Sequence, residues 1–114
     1  MTATPTRWLT VQEVDAAARA RREAARAGLP AALAERSRGR PWRYVLFGSL
    51  ARGDFHPWSD ADIAVLDARE DWAEAERAAH EAAEAFGVEA DVSFWEHLPE
   101  KVRTRVLRDG IACA

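Results

Sequence analysis

Two aspartates spaced two positions apart, Asp60 and Asp62, and a third acid on a separate apolar segment, Asp91, are the residues of this chain best suited to chemistry. Asp60 to Leu66 reads DADIAVL, whose aliphatic and β-branched residues predict a strand. Side chains alternate along a strand, so the two acids share one face while Ala61 and Ile63 take the other. Val88 to Phe94 alternates in the same way, with Val88, Ala90, Val92 and Phe94 in one phase and Glu89, Asp91 and Ser93 in the other. If these strands are neighbours and turn their apolar faces toward helices, Asp60, Asp62 and Asp91 converge on the open face. Carboxylates that close repel one another unless a divalent cation lies between them. Three of them can hold two such ions, which clamp the attacking and leaving oxygens of an in-line phosphoryl displacement. Magnesium suits an all-oxygen site completed by substrate phosphates.

A Gly48-Ser49 pair is separated from Asp60 by ten residues and directly follows the apolar stretch Arg43 to Phe47, which reads as a buried strand. Gly48 permits close backbone approach, and the Ser49 hydroxyl and neighbouring amides can donate to a β- or γ-phosphate. Taken singly, each of these residues has an ordinary structural meaning. Gly48-Ser49 would be a strand-ending turn, Asp60 and Asp62 solvated strand-start residues, and Asp91 an exposed-face residue. Three acids in phase, on segments of a kind from which acids are depleted, outweigh that account and suggest metal-dependent chemistry on a nucleotide. His56, His80 and His97 show no ligand spacing to one another or to Cys113. Trp58, on the loop before Asp60, is placed to stack on a base or a partner, whereas Trp8, Trp42, Trp72 and Trp95 are expected in or near the core. No P-loop, dinucleotide-binding or nucleophile-elbow motif is present.

The elements that must position these residues are legible around them. Thr10 and Glu13 form a capping box that starts a helix, with Leu9 and Val14 as a hydrophobic staple. That helix is predicted to end at a Gly28 cap, with Pro30 opening a second, shorter helix that ends near Gly39. After the Arg43 to Phe47 strand, residues 49–59 form a loop with a helical turn over Ser49 to Arg52. Asp71 and Glu74 have capping-box spacing at the head of a helix that runs to Phe86 and closes at Gly87, with Trp72, Ala75, Ala79, Ala82, Ala83 and Phe86 as its apolar stripe. Pro99 to Arg108 is a last helix, and Asp109-Gly110 a turn before a short tail, Ile111 to Ala114. The predicted fold class is α/β (α+β), a small mixed sheet with helices packed mainly on one face. One domain is expected, with residues 1–40 a helical amino-terminal segment and 43–114 the core.

Composition bounds the partners. The 114 residues carry a net charge of −3, unevenly spread: residues 1–43 hold nine Arg against four acids, and residues 44–114 seven basic against fifteen acidic residues. Fifteen of the sixteen basic residues are Arg and Ala is abundant throughout, so the basic third reads as solvated helix surface, and direct nucleic-acid binding is not expected. No apolar run approaches the roughly 20 residues of a membrane span, and MTATPTRW lacks the charged and apolar regions of a signal peptide. The single cysteine, Cys113, forms no internal disulfide, which fits a cytoplasmic setting. Five Trp on so short a chain leave apolar surface for a partner or for a homo-oligomer.

Gly48-Ser49, ten residues, Asp60-x-Asp62 and then a strand acid at Asp91 together resemble the minimal nucleotidyltransferases of the DNA polymerase β superfamily. Ala51-Arg52-Gly53 within the loop and Ser59 before the first Asp share that resemblance, which covers roughly Arg43 to Ala114; Leu50 and the bulky Phe55-His56-Pro57-Trp58 loop depart from the family's commonest wording. The resemblance implies the polymerase β-like fold and transfer of AMP from ATP, with release of pyrophosphate and Mg2+ as cofactor. It implies that Asp60, Asp62 and Asp91 bind metal, that Asp91 also helps activate the acceptor hydroxyl, that Gly48 and Ser49 hold the triphosphate, and that Arg52 assists electrostatically. Many such proteins are antitoxins encoded beside a HEPN-type ribonuclease toxin, which they silence by adding AMP to a tyrosine, by binding it, or both. Two other functions compete: an interaction protein acting by stoichiometric binding, and a small-molecule transferase of the antibiotic-modifying type. The second is the weaker expectation, since no helical substrate domain follows Ala114 in this sequence.

Overall fold

Thr10 caps the first helix as its sequence predicts, its Oγ1 accepting a hydrogen bond from the Glu13 N–H at 3.1 Å. The computed structural model describes residues 8–114; the MTATPTR stretch, most of the segment judged unlike a signal peptide, lies outside them. The helix that Thr10 starts, α1 (Val11–Ser37), is one unbroken element with Pro30 inside it, so the expected helix pair is corrected to a single long helix. A proline in a helix interior removes one backbone hydrogen bond and crowds the preceding turn. Tertiary packing overrides that local cost, because Ala18, Arg22, Ala25, Leu29 and Leu33 form one buried stripe that continues across the proline. Gly28 is no cap. A Cβ there would stand 2.7 Å from the Phe86 ring, so its missing side chain is what lets that ring pack against α1.

Four strands, β1 (Arg43–Phe47), β2 (Ala61–Leu66), β3 (Ala90–Phe94) and β4 (Ile111–Cys113), form a mixed sheet in the order β3-β2-β1-β4. β1 runs antiparallel to both β2 and β4, and β2 runs parallel to β3. The parallel pair is joined by a 3-10 turn (Arg69–Asp71) and helix α3 (Trp72–Glu84). A short helix, α2 (Gly48–Arg52), follows β1 directly, and α4 (Glu100–Asp109) precedes β4. The small α+β sheet is the fold class the sequence implies. The tail expected after Gly110 is the edge strand β4, with Tyr44 opposite Cys113 and Leu46 opposite Ile111. A segment of three residues carries too short a pattern for alternation to reveal it.

Tyr44, Leu46, Ile63 and Val65 point from β1 and β2 into a core closed by Leu29 and Leu33 of α1 and by Ala75, Ala79 and Ala83 of α3. Each large aliphatic group buried there contributes about 1.5–3 kcal/mol. The alanines let α3 lie close to the sheet, close enough for the Tyr44 hydroxyl to donate to the Ala75 carbonyl at 2.6 Å. Helix α4 touches the other face of β1 at its end, where Gly110 lies against Val45. Two local expectations fail at the head of α3. Asp71 makes no side-chain capping bond, because the chain enters through the 3-10 turn, in which the Asp71 N–H bonds the Ala68 carbonyl at 2.9 Å. Trp72 is exposed rather than part of the stripe, and Trp8 is exposed as well, whereas Trp42 is fully buried.

Candidate active site

β2 and β3 are both clamped by apolar side chains on the helix side, and their alternation therefore delivers acids to the other side. Ile63 pairs with Val92 and Val65 with Phe94; one residue out of phase, Asp62 lies directly opposite Asp91 in the parallel register. Phe47 of β1 flanks Asp62 on its other edge. Asp60 precedes the strand rather than opening it, since the ladder begins where the Ala61 N–H bonds the Glu89 carbonyl at 2.8 Å. Asp60 and Asp91 are exposed and Asp62 is partly buried. Burial pushes the Asp62 carboxyl up to about 6, and the charges of Asp91 and then Asp60 push it the same way, while Arg52 opposes them. Asp60 and Asp91 are therefore both within electrostatic reach of Asp62 at one end of the sheet.

Gly48 completes that end. Its φ of +77° is in the left-handed region, and a Cβ on it would collide with the Asp62 carboxylate, whose Cγ would stand only 3.0 Å away. Only glycine allows the β1-to-α2 turn to sit against this acid. No side chain caps the amino-terminal end of α2, so the turn presents backbone amides beside Ser49. Arg52, at the other end of α2, donates its Nε–H to Asp54 at 3.2 Å and also acts electrostatically on Asp62 and Asp109.

The loop that brings the chain to Asp60 is a compact turn. Ser59 donates its N–H to the His56 carbonyl at 3.1 Å, and its hydroxyl accepts from the His56 N–H at 2.9 Å. Pro57 occupies the position of that turn where its fixed φ is favourable. Sequence reasoning missed the residue that holds this turn from outside. Arg22, buried on α1, donates its Nε–H to the Ser59 carbonyl at 3.0 Å and its Nη1–H to the Ala18 carbonyl at 3.2 Å. Its guanidinium lies 5.9 Å from the centre of the Trp58 ring. The available signal was an arginine in phase with the buried stripe of α1, between Ala18 and Ala25.

Among the described residues no three carboxylate, imidazole or thiol side chains are gathered closely enough to hold an ion as they stand. The donor set nonetheless fits a hard divalent cation. It is all carboxylate, the charges of Asp91 and Asp60 raise the proton affinity of Asp62, and Asp62 faces the space that a Gly48 Cβ would fill.

Likeness to known proteins follows the same lines. A chain of a crystal structure described as a toxin-antitoxin with AMP-PNP superimposes with a TM-score of 0.54 at 25% sequence identity, covering 70% of this chain and 68% of that one. No curated protein sequence matches the chain. The family model of the nucleotidyltransferase domain matches residues 29–113, a span that holds the Gly48 turn, both strands of the acid trio and the closing strand β4. The chain therefore belongs to the nucleotidyltransferase-domain family.

Proposed function

We propose that this protein is a magnesium-dependent adenylyltransferase that moves AMP from ATP to a hydroxyl group on a partner protein, a toxin of the HEPN type, and so serves as an antitoxin. The observation that carries the proposal is the register of Asp62 against Asp91 on the face turned away from α1 and α3, with Gly48 pressed against Asp62. Asp60, Asp62 and Asp91 would hold the magnesium ions, which when bound neutralise charge on the phosphates and on the attacking and leaving oxygens. Gly48, the Ser49 hydroxyl and the α2 amides bind the β- and γ-phosphates. Arg52, electrostatically linked to Asp62, offsets the negative charge of the triphosphate.

In the transfer, the acceptor oxygen forms a bond to the α-phosphorus. The bond from that phosphorus to the bridging oxygen breaks in line, and pyrophosphate leaves with the electron pair. Asp91, the more exposed of the register pair, takes the hydroxyl proton. The structural neighbour described with a toxin and with AMP-PNP, an ATP analogue, supports both the nucleotide and the protein acceptor. A buried, unpaired Cys113 suits a reducing cytoplasm, and among the described residues no helix is long and apolar enough to cross a membrane.

The test uses ATP labelled on the α-phosphate, magnesium and the product of the adjacent gene. Label on that protein, lost with Asp60→Ala, supports the proposal. Tight binding with no label under any divalent metal would leave a stoichiometric inhibitor, and label on an aminoglycoside a small-molecule transferase.

A further inference from the structure

We propose that Arg22 is a positioning residue for nucleotide transfer, making α1 part of the active-site apparatus; this rests on the functional reading above. The residue lies seven positions before the span matched by the family, on the turns of α1 that precede that span. Arginine is almost never fully buried unless paired, yet this one is 5% exposed within an otherwise apolar stripe. Desolvation disfavours its charge and the neighbouring Arg21 adds to that penalty, while Asp60 and Glu89 act in its favour. A cation held at such a cost is explained by what it holds.

Its Nε–H bonds the Ser59 carbonyl, whose carbon is joined directly to the Asp60 nitrogen, so the bond fixes the peptide from which the Asp60 side chain departs. A second donor anchors the guanidinium to its own helix through the Ala18 carbonyl, so the restraint is referred to a rigid element. The same guanidinium faces the Trp58 ring. Two further arginines on that side of α1 act on the rest of the loop: Arg19 lies 5.9 Å from the centre of the Phe55 ring, and the Arg26 guanidinium lies against Gly53. Asp60 stands just outside the ladder, with Ala61 the first residue of β2, so the sheet fixes only the peptide that follows it, through the Ala61 N–H bond to the Glu89 carbonyl. Arg22 fixes the peptide that precedes it. Misplacing a reacting or coordinating group by about 1 Å can cost a hundredfold in rate.

The experiment compares wild type with Arg22→Met, which keeps the apolar stem and removes the donors, with Arg22→Lys, which restores one donor and the charge, and with Arg36→Met. Arg36 pairs with Glu81 at 2.9 Å, so its replacement controls for loosening α1 elsewhere. Two quantities are read on each: hydrogen exchange of segment 53–60, and affinity for magnesium–ATP by calorimetry. Arg22→Met is expected to speed exchange of that segment at least tenfold and to weaken magnesium–ATP at least tenfold. Arg22→Lys should recover part of both, and Arg36→Met should change neither. Faster exchange with unchanged magnesium–ATP affinity would reduce Arg22 to a structural brace and overturn the proposal. So would tighter binding in Arg22→Met, which would mean that its charge merely competes with the cations. A wild type that binds no magnesium–ATP overturns the reading of the site itself, and this proposal with it.

Discussion

The two faces of β2 follow opposite rules within a few residues. Ile63 and Val65 are fully buried among Leu29, Leu33 and the α3 alanines, and every contact they make favours the folded state. Asp62, between Ala61 and Ile63, is carried on the same backbone to a place where its neighbours in space are Asp91, Asp60 and the bare Cα of Gly48. Nothing local makes that second face favourable by itself. The apolar face holds the acid face in place, and the acid face stores repulsion that a bound cation can relieve. Stability and function are divided between odd and even positions of one strand, and the division can be tested from either side.

Breaking the apolar side gives the largest effect. Ile63→Ala removes a side chain with no exposed surface at the centre of the sheet and is expected to destabilise the protein by about 2–5 kcal/mol. Urea unfolding followed by circular dichroism measures it, and a loss well under 1 kcal/mol would mean that this face is not the support. Removing a contact at the seam between the faces comes next. Gly48→Ala forces a side chain into the left-handed region at φ +77° and against the Asp62 carboxylate. Such strain costs about 1–3 kcal/mol, and the displaced carboxylate should lose most of its affinity for magnesium–ATP while the unfolding midpoint falls only modestly. Magnesium–ATP binding equal to wild type in Gly48→Ala would show that the turn is not part of the site.

The legible parts of the molecule were those where a short period meets a fixed constraint. DADIAVL and VEADVSF both alternate, and each independently assigned its acids to the open face of the sheet; β2 and β3 carry Asp62 and Asp91 to the face turned away from α1 and α3. Two kinds of feature stayed hidden. Gly28 and Pro30 carry local signals for a helix end, and a stripe that continues through Leu29 and Leu33 outweighs them, so their meaning depends on the Phe86 ring and the core. β4 and the Arg22–Ser59 bond are pairings between residues 65 or more positions apart in one case and 37 in the other, with no period of their own to announce them. Asp60 shows the limit in a single residue. Its spacing to Asp62 identifies the pair, but only the ladder, starting at the Ala61 N–H, reveals that the peptide before Asp60 lies outside the sheet and is held by another support.

The smallest effect is also the sharpest measure of the acid face. Asp62 has its carboxyl raised to about 6 by burial and by Asp91 and Asp60, against about 3.9 in an unfolded chain. The folded protein therefore holds this proton more tightly than the unfolded chain does. The contribution of Asp62 to stability is fully present below about pH 4 and is lost as pH rises through about 6. Metal-free protein should consequently show a component of Tm that falls between pH 4 and pH 7. Asp62→Asn, neutral at every pH, should lack that component and melt a few degrees higher than wild type at pH 7.5, while losing magnesium–ATP binding. Magnesium requires the deprotonated carboxyl, so in wild type its stabilising effect should be small at pH 5 and grow through pH 6. Thermal melts of both proteins in EDTA and in magnesium at pH 5 and pH 7.5 read all of this. If Asp62→Asn keeps the pH slope of wild type, the repulsion lies elsewhere, and the contrast between the two faces of β2 loses its electrostatic half.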